Sequence, residues 1–403
     1  MMNKKICLVS DLHLSSNPRV WKEANALAAA GYEVSIITMW TSAEKRNKDN
    51  SFIHHNNISY KAGLNLIPGE INFIKRFCLR AWAKLMRTLK KTFNLNSGWC
   101  LGYAPGLMTN AVLKEKAALY IVHTEYGIMI GRKLLLKGKK VAFDIEDWYS
   151  RDYLVPERPV KLLQALEKAA LQKGQYCSCP SLAMAAALNN TYPGCKKAEA
   201  IYNGFSSSEN ACMENIVAAV PSIVWFSQTI GEGRGLETAI ESLYFIDTII
   251  SFHLIGETVA GYEIKLKKIF PFEKGHRLFF HGVIHHKDLI PSLSTHTIGL
   301  AIENNYPDNR NKTVTNKILQ YIQAGIKVMA TETDGQQEIA AYFPETVAIV
   351  PVNEPSAWAV AIQQLVDAAD VDKEEQLRKF NQYFSWEAQE QKLLSFVKNA
   401  LKD

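Results

Sequence analysis

Short apolar runs alternating with helical patterns begin near residue 4 and continue to the last turn of the chain, which limits the possible folds more than any other feature. KKICLVS (4–10), VSIIT (34–38), 120–123, VAFDI (141–145) and 176–180 read as buried strands. Helical spacing runs through 19–30, ended by Gly31, and again through 158–173 and 181–191. After IYNGF (201–205), a polar stretch of small residues, SSSENACMEN, reads as a linker. The alternation then restarts: SIVWFS (222–227), a helix from Gly235, SFHLIG (251–256), RLFFHG (277–282), IGLAIE (298–303), a helix at 315–324 and KVMAT (327–331). Such alternation implies parallel sheets covered by helices on both faces. The expected architecture is α/β: two doubly wound domains facing a central cleft, with ligands at the carboxyl ends of the strands. The expected boundaries are 1–205, a linker at 206–220, and 221–384. SWEAQEQKLLSFVKNAL (385–401) has an apolar stripe at Leu393, Phe396, Val397 and Leu401, so 385–403 is expected to cross back and pack on the first domain.

At 403 residues the chain is long for one core, in keeping with two domains. Asp11 and His13 interrupt the opening apolar run, so no export signal is read, and no run approaches a membrane span. Seven cysteines suggest no disulfide framework, and the expected setting is the cytoplasm. Cys177 and Cys179 alternate along one strand; core thiols suit them better than a metal pair, since no further ligand lies nearby in the sequence. Asp370 and Asp372 form a DxD in a polar helical region, not after a strand, and no metal site is assigned.

The net charge of +6 conceals an asymmetry. Residues 1–200 hold 29 Lys and Arg against 15 Asp and Glu, a balance of +14, and the rest of the chain carries −8. Only the first half should attract anionic partners. Seven of its positive charges fall in INFIKRFCLRAWAKLMRTLKKTF (71–93), which has no acidic residue. At about 100° per residue, Ile74, Phe77, Cys78, Ala81, Trp82, Leu85 and Leu89 share one face. Arg76, Arg80, Lys84, Arg87, Lys90 and Lys91 share the other, with Lys75 the exception. Two readings fit: a helix lying in an anionic membrane interface, or one packed on the sheet with a solvated basic face. A nucleic-acid surface is not assigned, because no exposed aromatics interleave with the basic face.

The first loop, SDLHLSSNPRVWKEA (10–24), lacks GxGxxG, so no dinucleotide fingerprint is present. Asp11, His13, Asn17 and Arg19 nevertheless follow the first strand and precede a helix, where open α/β sheets bind ligands. A capped turn with Pro18 near the first helical position explains the same residues in purely local terms.

The chain resembles the GT-B glycosyltransferases of family 4, built from two Rossmann-like domains. SDLHLSSNPRVWKEANALAAAGYEVSIIT resembles that family's opening strand, loop and helix, and WFSQTIGEGRGLETAIESL (225–243) the start of its donor domain. FHLIGE (252–257), RLFFHGVIHHKDLIPSL (277–293), IGLAIENN (298–305), NKILQYIQAGIKVMAT (316–331) and SWEAQEQ follow in the family's order, while residues 40–115 match little. The resemblance implies a retaining, metal-independent transferase using a UDP- or GDP-sugar as substrate and no cofactor. Its acceptor would be a lipid-linked or surface glycan of bacterial polysaccharide biosynthesis. The enzyme would then work in the cytoplasm, peripheral at the inner face of the cell membrane, without nucleic acid as a partner.

A departing nucleoside diphosphate gains negative charge, which Arg, Lys and backbone N–H groups can stabilise. Gln228 stands at the family's usual Arg position and Arg234 near its usual Lys, with Lys317 a second candidate cation; a helix-terminus or surface role remains open for both cations. The family's paired Glu positions carry Lys312 and Gln320, so the carboxylate pair is missing; Gln320 or Glu303 would meet the ribose. Gly256 and Asn316 complete the expected donor-binding set. On the acceptor side, VHTE (122–125) keeps His123 and has Glu125 where the family often has a second His. FDIEDWYSRD (143–152) resembles a loop commonly reading Asp-x-His-Glu, with Glu146 and Asp147 in the last two places. The catalytic candidates are Glu125, Asp147, Arg234 and Lys317. Glu125, Asp144 and Asp147 would orient acceptor hydroxyls or act as general base, although Asp147 fits a helix cap as well. The missing pair also leaves open a nucleotide-sugar epimerase or a non-catalytic nucleotide-sugar-binding protein on the same scaffold.

Overall fold

The structure is a computed structural model that describes residues 4–94, 97–153, 158–209 and 220–402. The central part of the expected linker, 210–219, lies outside the described residues. The chain divides into two units, Met1–Ile201 with Glu390–Asp403, and Tyr202–Gln389.

In the first unit, β1 (Lys5–Val9), β2 (Glu33–Trp40), β3 (Ile58–Asn65), β4 (Leu119–His123), β5 (Val141–Asp144), β6 (Cys177–Cys179) and β7 (Ala198–Ala200) form a parallel sheet. Their order is β3-β2-β1-β4-β5-β6-β7. Every residue of β4 and β5 is buried, which is why these strands read as unbroken apolar runs. Cys177 and Cys179 are buried in β6 as core thiols. Pro18 opens the helix Pro18–Ala29, and Gly31, at φ +90°, follows its end. From the last helix, Trp386–Ala400, Leu393 and Val397 are buried, and Phe396 packs on Tyr176 with ring centroids 5.4 Å apart.

In the second unit, β8 (Ser222–Ile230), β9 (Ser251–Thr258), β10 (Arg277–Phe280), β11 (Ile298–Ala301), β12 (Lys327–Thr331) and β13 (Val347–Val350) form another parallel sheet. Their order is β10-β9-β8-β11-β12-β13. Both sheets are therefore doubly wound. The chain reverses direction across each sheet between β1 and β4, and between β8 and β11. Those two switch points are where such sheets form ligand crevices.

Three strands were not among those read from the sequence. β3 is an edge strand with one fully buried residue, so it lacks an apolar run; β7 is three residues long and β13 four. β8 also runs three residues beyond its expected end, placing Gln228 within the strand.

The basic segment forms the helix Phe73–Phe93. It attaches through a narrow strip, with Ala83 and Met86 buried and Leu79 half-buried against the core. On the ~100° helical wheel, this strip lies between the apolar stripe and the basic face. The stripe itself stays in solvent: Ile74 is 68% exposed, Phe77 63%, Trp82 50% and Leu85 46%. Packing on the sheet therefore does not account for the stripe. No helix among the described residues is long and apolar enough to cross a membrane.

Candidate functional site

At the first switch point, β1 and β4 end side by side, and Asp11, two residues beyond β1, meets Thr124, the residue after β4. The Thr124 hydroxyl donates to Asp11 Oδ1 at 2.5 Å and accepts from the Gly127 N–H at 3.2 Å. Thr124 adopts φ +69°, a conformation costing a β-branched residue about 1–3 kcal/mol. That strain aims the hydroxyl at Asp11. Burial pushes the Asp11 carboxyl up to about 6, against the opposing pull of the Thr124 hydrogen bond.

Behind this pair lies a buried charge cluster. Arg19, from the helix after the first loop, forks onto Asp144 at 2.6 and 2.7 Å and donates to the Ile201 carbonyl at 2.9 Å. The Ser178 hydroxyl also donates to Asp144, at 2.6 Å. His123, fully buried at the end of β4, has Glu146 Oε1 at 3.2 Å and Asp144 Oδ2 at 3.3 Å from Nδ1, and Glu23 Oε2 at 3.3 Å from Nε2. Burial alone would lower the His123 pKa, but Glu23, Asp144 and Glu146 raise it well above the ordinary range. Burial pushes the Glu23 carboxyl up, whereas Asp144 is held well below its usual range by Arg19 and His123 despite its burial.

Glu146 extends this cluster toward solvent. Its Oε1 accepts from Asn17 Nδ2 at 2.7 Å, and its side chain retains 15% exposure. Asn17 thus precedes its helix without capping it through its side chain. His13 is committed elsewhere: Nδ1 meets Asp49 at 2.7 Å and Nε2 accepts from the Thr41 N–H at 3.0 Å, so it braces the loop. Glu125 pairs with Arg158 at 2.8 Å, and burial raises its pKa despite that partner. Asp147 is half-buried after β5, and Trp148, not Asp147, occupies the cap position of the short helical turn that follows. Sequence reading named Glu146 without selecting it and missed Glu23 and Thr124. Glu23 follows Arg19 by one helical turn, a spacing that marks a shared face; no sequence signal marks the Thr124 backbone.

Glu23, His123 and Asp144 can each place one ligand atom within 4.8 Å of the others, the spacing of a metal group. However, the Arg19 fork already engages both Asp144 oxygens, and a dication there would lie against a guanidinium. The donor set fits an internal ion-pair cluster.

At the second switch point, the loop after β8 approaches the end of β11: a Cβ on Gly235 would meet Ile302 at 2.5 Å. Arg234 stands exposed in that loop and makes no ion pair or hydrogen bond among the described residues. Lys317, in the first turn of the helix Asn316–Gln323, bonds Glu303 at 3.0 Å, with its ammonium 5.7 Å from the Trp225 ring centroid. The Glu303 N–H donates to the Thr331 hydroxyl at 2.8 Å, fixing the residue beyond β11. Gln320 is buried in the same helix, Asn316 accepts from Asn203 at 3.0 Å, and Lys312 pairs with Asp334. Gly256, at φ +144°, passes so close to β8 that a Cβ would fall 2.1 Å from the Ser227 carbonyl oxygen. Gln228 is exposed on β8. Asp372, of the DxD, caps the helix Lys373–Tyr383 by accepting from the Glu375 N–H at 3.1 Å.

No family model matches the sequence, and no curated protein sequence matches it. Solved structures do. The chain is similar to sucrose-phosphate synthase from Thermosynechococcus elongatus, with a TM-score of 0.70 and 17% identity over 99% of each chain. It is similar to a glycosyltransferase from Rickettsia africae, with a TM-score of 0.67 and 15% identity over the whole of both chains. Anabaena HepE in complex with UDP also matches, with a TM-score of 0.67 and 13% identity over 98% of this chain and 99% of that one. Likeness at this level of identity establishes the fold, and the fold is GT-B.

Proposed function

We propose that the protein is a glycosyltransferase, moving a sugar from a UDP- or GDP-sugar held by the second unit to an acceptor held by the first. The observation that carries this reading is the full-length GT-B fold shared with transferases, one of which was solved with UDP and with UDP-glucose. As the bond to the nucleoside diphosphate breaks, charge builds on the departing phosphate. Arg234 is available to meet it with a forked guanidinium. Lys317 joins once its ammonium turns from Glu303, and Glu303, so released, is placed to take a ribose hydroxyl. On the acceptor unit, Glu146 and Asp11 orient the incoming hydroxyl, with His123 and Asn17 fixing Glu146. Transfer is assigned as retaining, with the donor phosphate receiving the acceptor proton.

The acceptor is assigned as a lipid-linked or surface glycan, and the protein as peripheral at the cytoplasmic face of a membrane. The support is the helix Phe73–Phe93, whose exposed apolar stripe adjoins Arg80, Lys84 and Arg87. A thermal-shift screen of nucleoside diphosphates and their sugars tests the donor assignment: UDP or GDP and the matching sugar should stabilise the second unit. Turnover with donor and acceptor should release the nucleotide and form a glycoside. Isomerised donor would identify an epimerase, and saturable binding without turnover across a broad acceptor panel a non-catalytic binder.

A further inference from the structure

Six of the chain's ten histidines fall between residues 253 and 296. Three of them meet on the second sheet, on the face opposite Phe252 and Leu254, which lie in the hydrophobic core. His253 projects from β9, His281 follows β10, and His296 lies in the turn leading to β11. The His253 and His281 rings differ in plane by 8°, with centroids 5.1 Å apart and Nδ1 to Nε2 at 2.9 Å. That geometry places the rings edge to edge, sharing one proton in an N–H···N bond. His296 packs beside His253 with centroids 4.5 Å apart, and its Nδ1 lies 3.3 Å from the Ser222 hydroxyl. Phe279 covers the His253 ring at 4.7 Å. Among the described residues, His253 Nε2, His281 Nδ1 and His296 Nε2 have no hydrogen-bond partner.

We propose that His253, His281 and His296 form a binding site for a divalent transition-metal ion of the zinc or nickel class. Imidazole is the preferred ligand of such ions, and three on one face exceed what stacking or sheet pairing requires. With metal–nitrogen bonds of about 2.0–2.1 Å, two imidazole nitrogens on a tetrahedral ion stand about 3.3 Å apart. Opening the 2.9 Å pair to that distance is a small change, and the ion takes the place of the shared proton. The three nitrogens do not yet all lie within 4.8 Å of one another, so closing on one ion requires the exposed His281 ring and the His296 ring, held by its 3.3 Å contact to Ser222, both to rotate. Among the described residues, no acidic or basic side chain pairs with any of the three rings, unlike the Arg19-bound cluster around His123. The site lies toward the amino-terminal end of the sheet, where His253 pairs in register with Val224, three residues into β9. The donor candidates lie at the opposite, carboxyl ends of β8 and β11. The metal is accordingly a structural or regulatory ligand of the second unit, and its binding does not depend on the proposed transfer.

The test is isothermal titration of the full, tag-free chain with zinc chloride or nickel chloride in a non-chelating buffer. One ion per chain should bind, and His281→Ala and His296→Gln should each weaken binding at least ~10-fold. Both variants should retain the wild-type metal-free melting temperature, which separates ligand loss from misfolding. His285→Ala/His286→Ala, which leaves the three rings intact, should bind like wild type. Absence of saturable binding would overturn the proposal, as would binding that survives in the His281→Ala/His296→Gln double variant.

Discussion

Replacing Arg19 with Met tests whether ion pairing holds the buried charge cluster of the first unit together. The guanidinium makes two bonds to Asp144, at 2.6 and 2.7 Å, and one to the Ile201 carbonyl at 2.9 Å, all within the core of the first unit. Met approximates the apolar stem but leaves Asp144, fully buried, with only Ser178 and His123 as partners. Removing one member of a buried ion pair costs about 3–5 kcal/mol, because the remaining charge is left uncompensated. For a unit of this size, each kcal/mol corresponds to roughly 2–4 °C, so the first unit's transition should fall by roughly 6–20 °C in a calorimetric scan. Since two units can melt separately, the scan must be resolved into components. Arg19→Met/Asp144→Leu, which removes both charges, should recover much of the loss. A single-variant cost below about 1 kcal/mol would refute the buried fork, since no surface pair is worth more than that.

Asp11 gives a pH signature. Its folded-state pKa is raised from 3.8 to about 6, so between those values the native state binds more protons than the unfolded state, and stability falls as pH rises. At about 1.4 kcal/mol per unit, the cost above pH 6 is at most about 3 kcal/mol; Asp11→Asn should flatten that slope in urea titrations from pH 4 to 8, and an unchanged slope contradicts the assignment. For the helix Phe73–Phe93, each basic residue near an anionic surface contributes ~1 kcal/mol. Neutralising Arg80, Lys84 and Arg87 together should reduce flotation with anionic liposomes about 100-fold; indifference to both charge and lipid removes the membrane assignment. Gly256→Ala forces a Cβ to within 2.1 Å of the Ser227 carbonyl oxygen at φ +144°, so the second unit should lose cooperative unfolding or at least about 2 kcal/mol. A wild-type melt would mean that β8 and β9 are not so closely apposed.

The two sheets were legible because ICLV, LYIVH and KVMAT are buried on both faces and have no polar alternation to obscure them. β3, ISYKAGLN, was not legible, because an edge strand needs little apolar surface and this one contains Gly63. The first loop identified Asp11, Asn17 and Arg19 from position alone. Their partners were hidden by distance along the chain: Asn17 meets Glu146 across 129 residues and Arg19 meets Asp144 across 125. The local sequence cannot announce such pairings, and for the same reason the commitment of His13 to Asp49 was unreadable. The basic helix shows a subtler limit. Its periodicity was plain, but an amphipathic stripe does not say what covers it; the contacts through Leu79, Ala83 and Met86 show that the core of its own unit does not. Lys317 and Glu303 were each legible as donor candidates, but their 3.0 Å ion pair was not.

The proposed donor site at the second switch point is the centre of the functional account, and affinity for UDP and GDP measured by calorimetry with and without Arg234 tests it most directly. A charged hydrogen-bonding partner of a phosphate contributes about 1.5–3 kcal/mol, so Arg234→Ala should weaken the preferred nucleoside diphosphate by roughly 10- to 150-fold while leaving the melting temperature of the free protein unchanged. Equal affinity in the wild type and the Arg234→Ala variant, or no binding of either nucleotide to the wild type, would contradict the account.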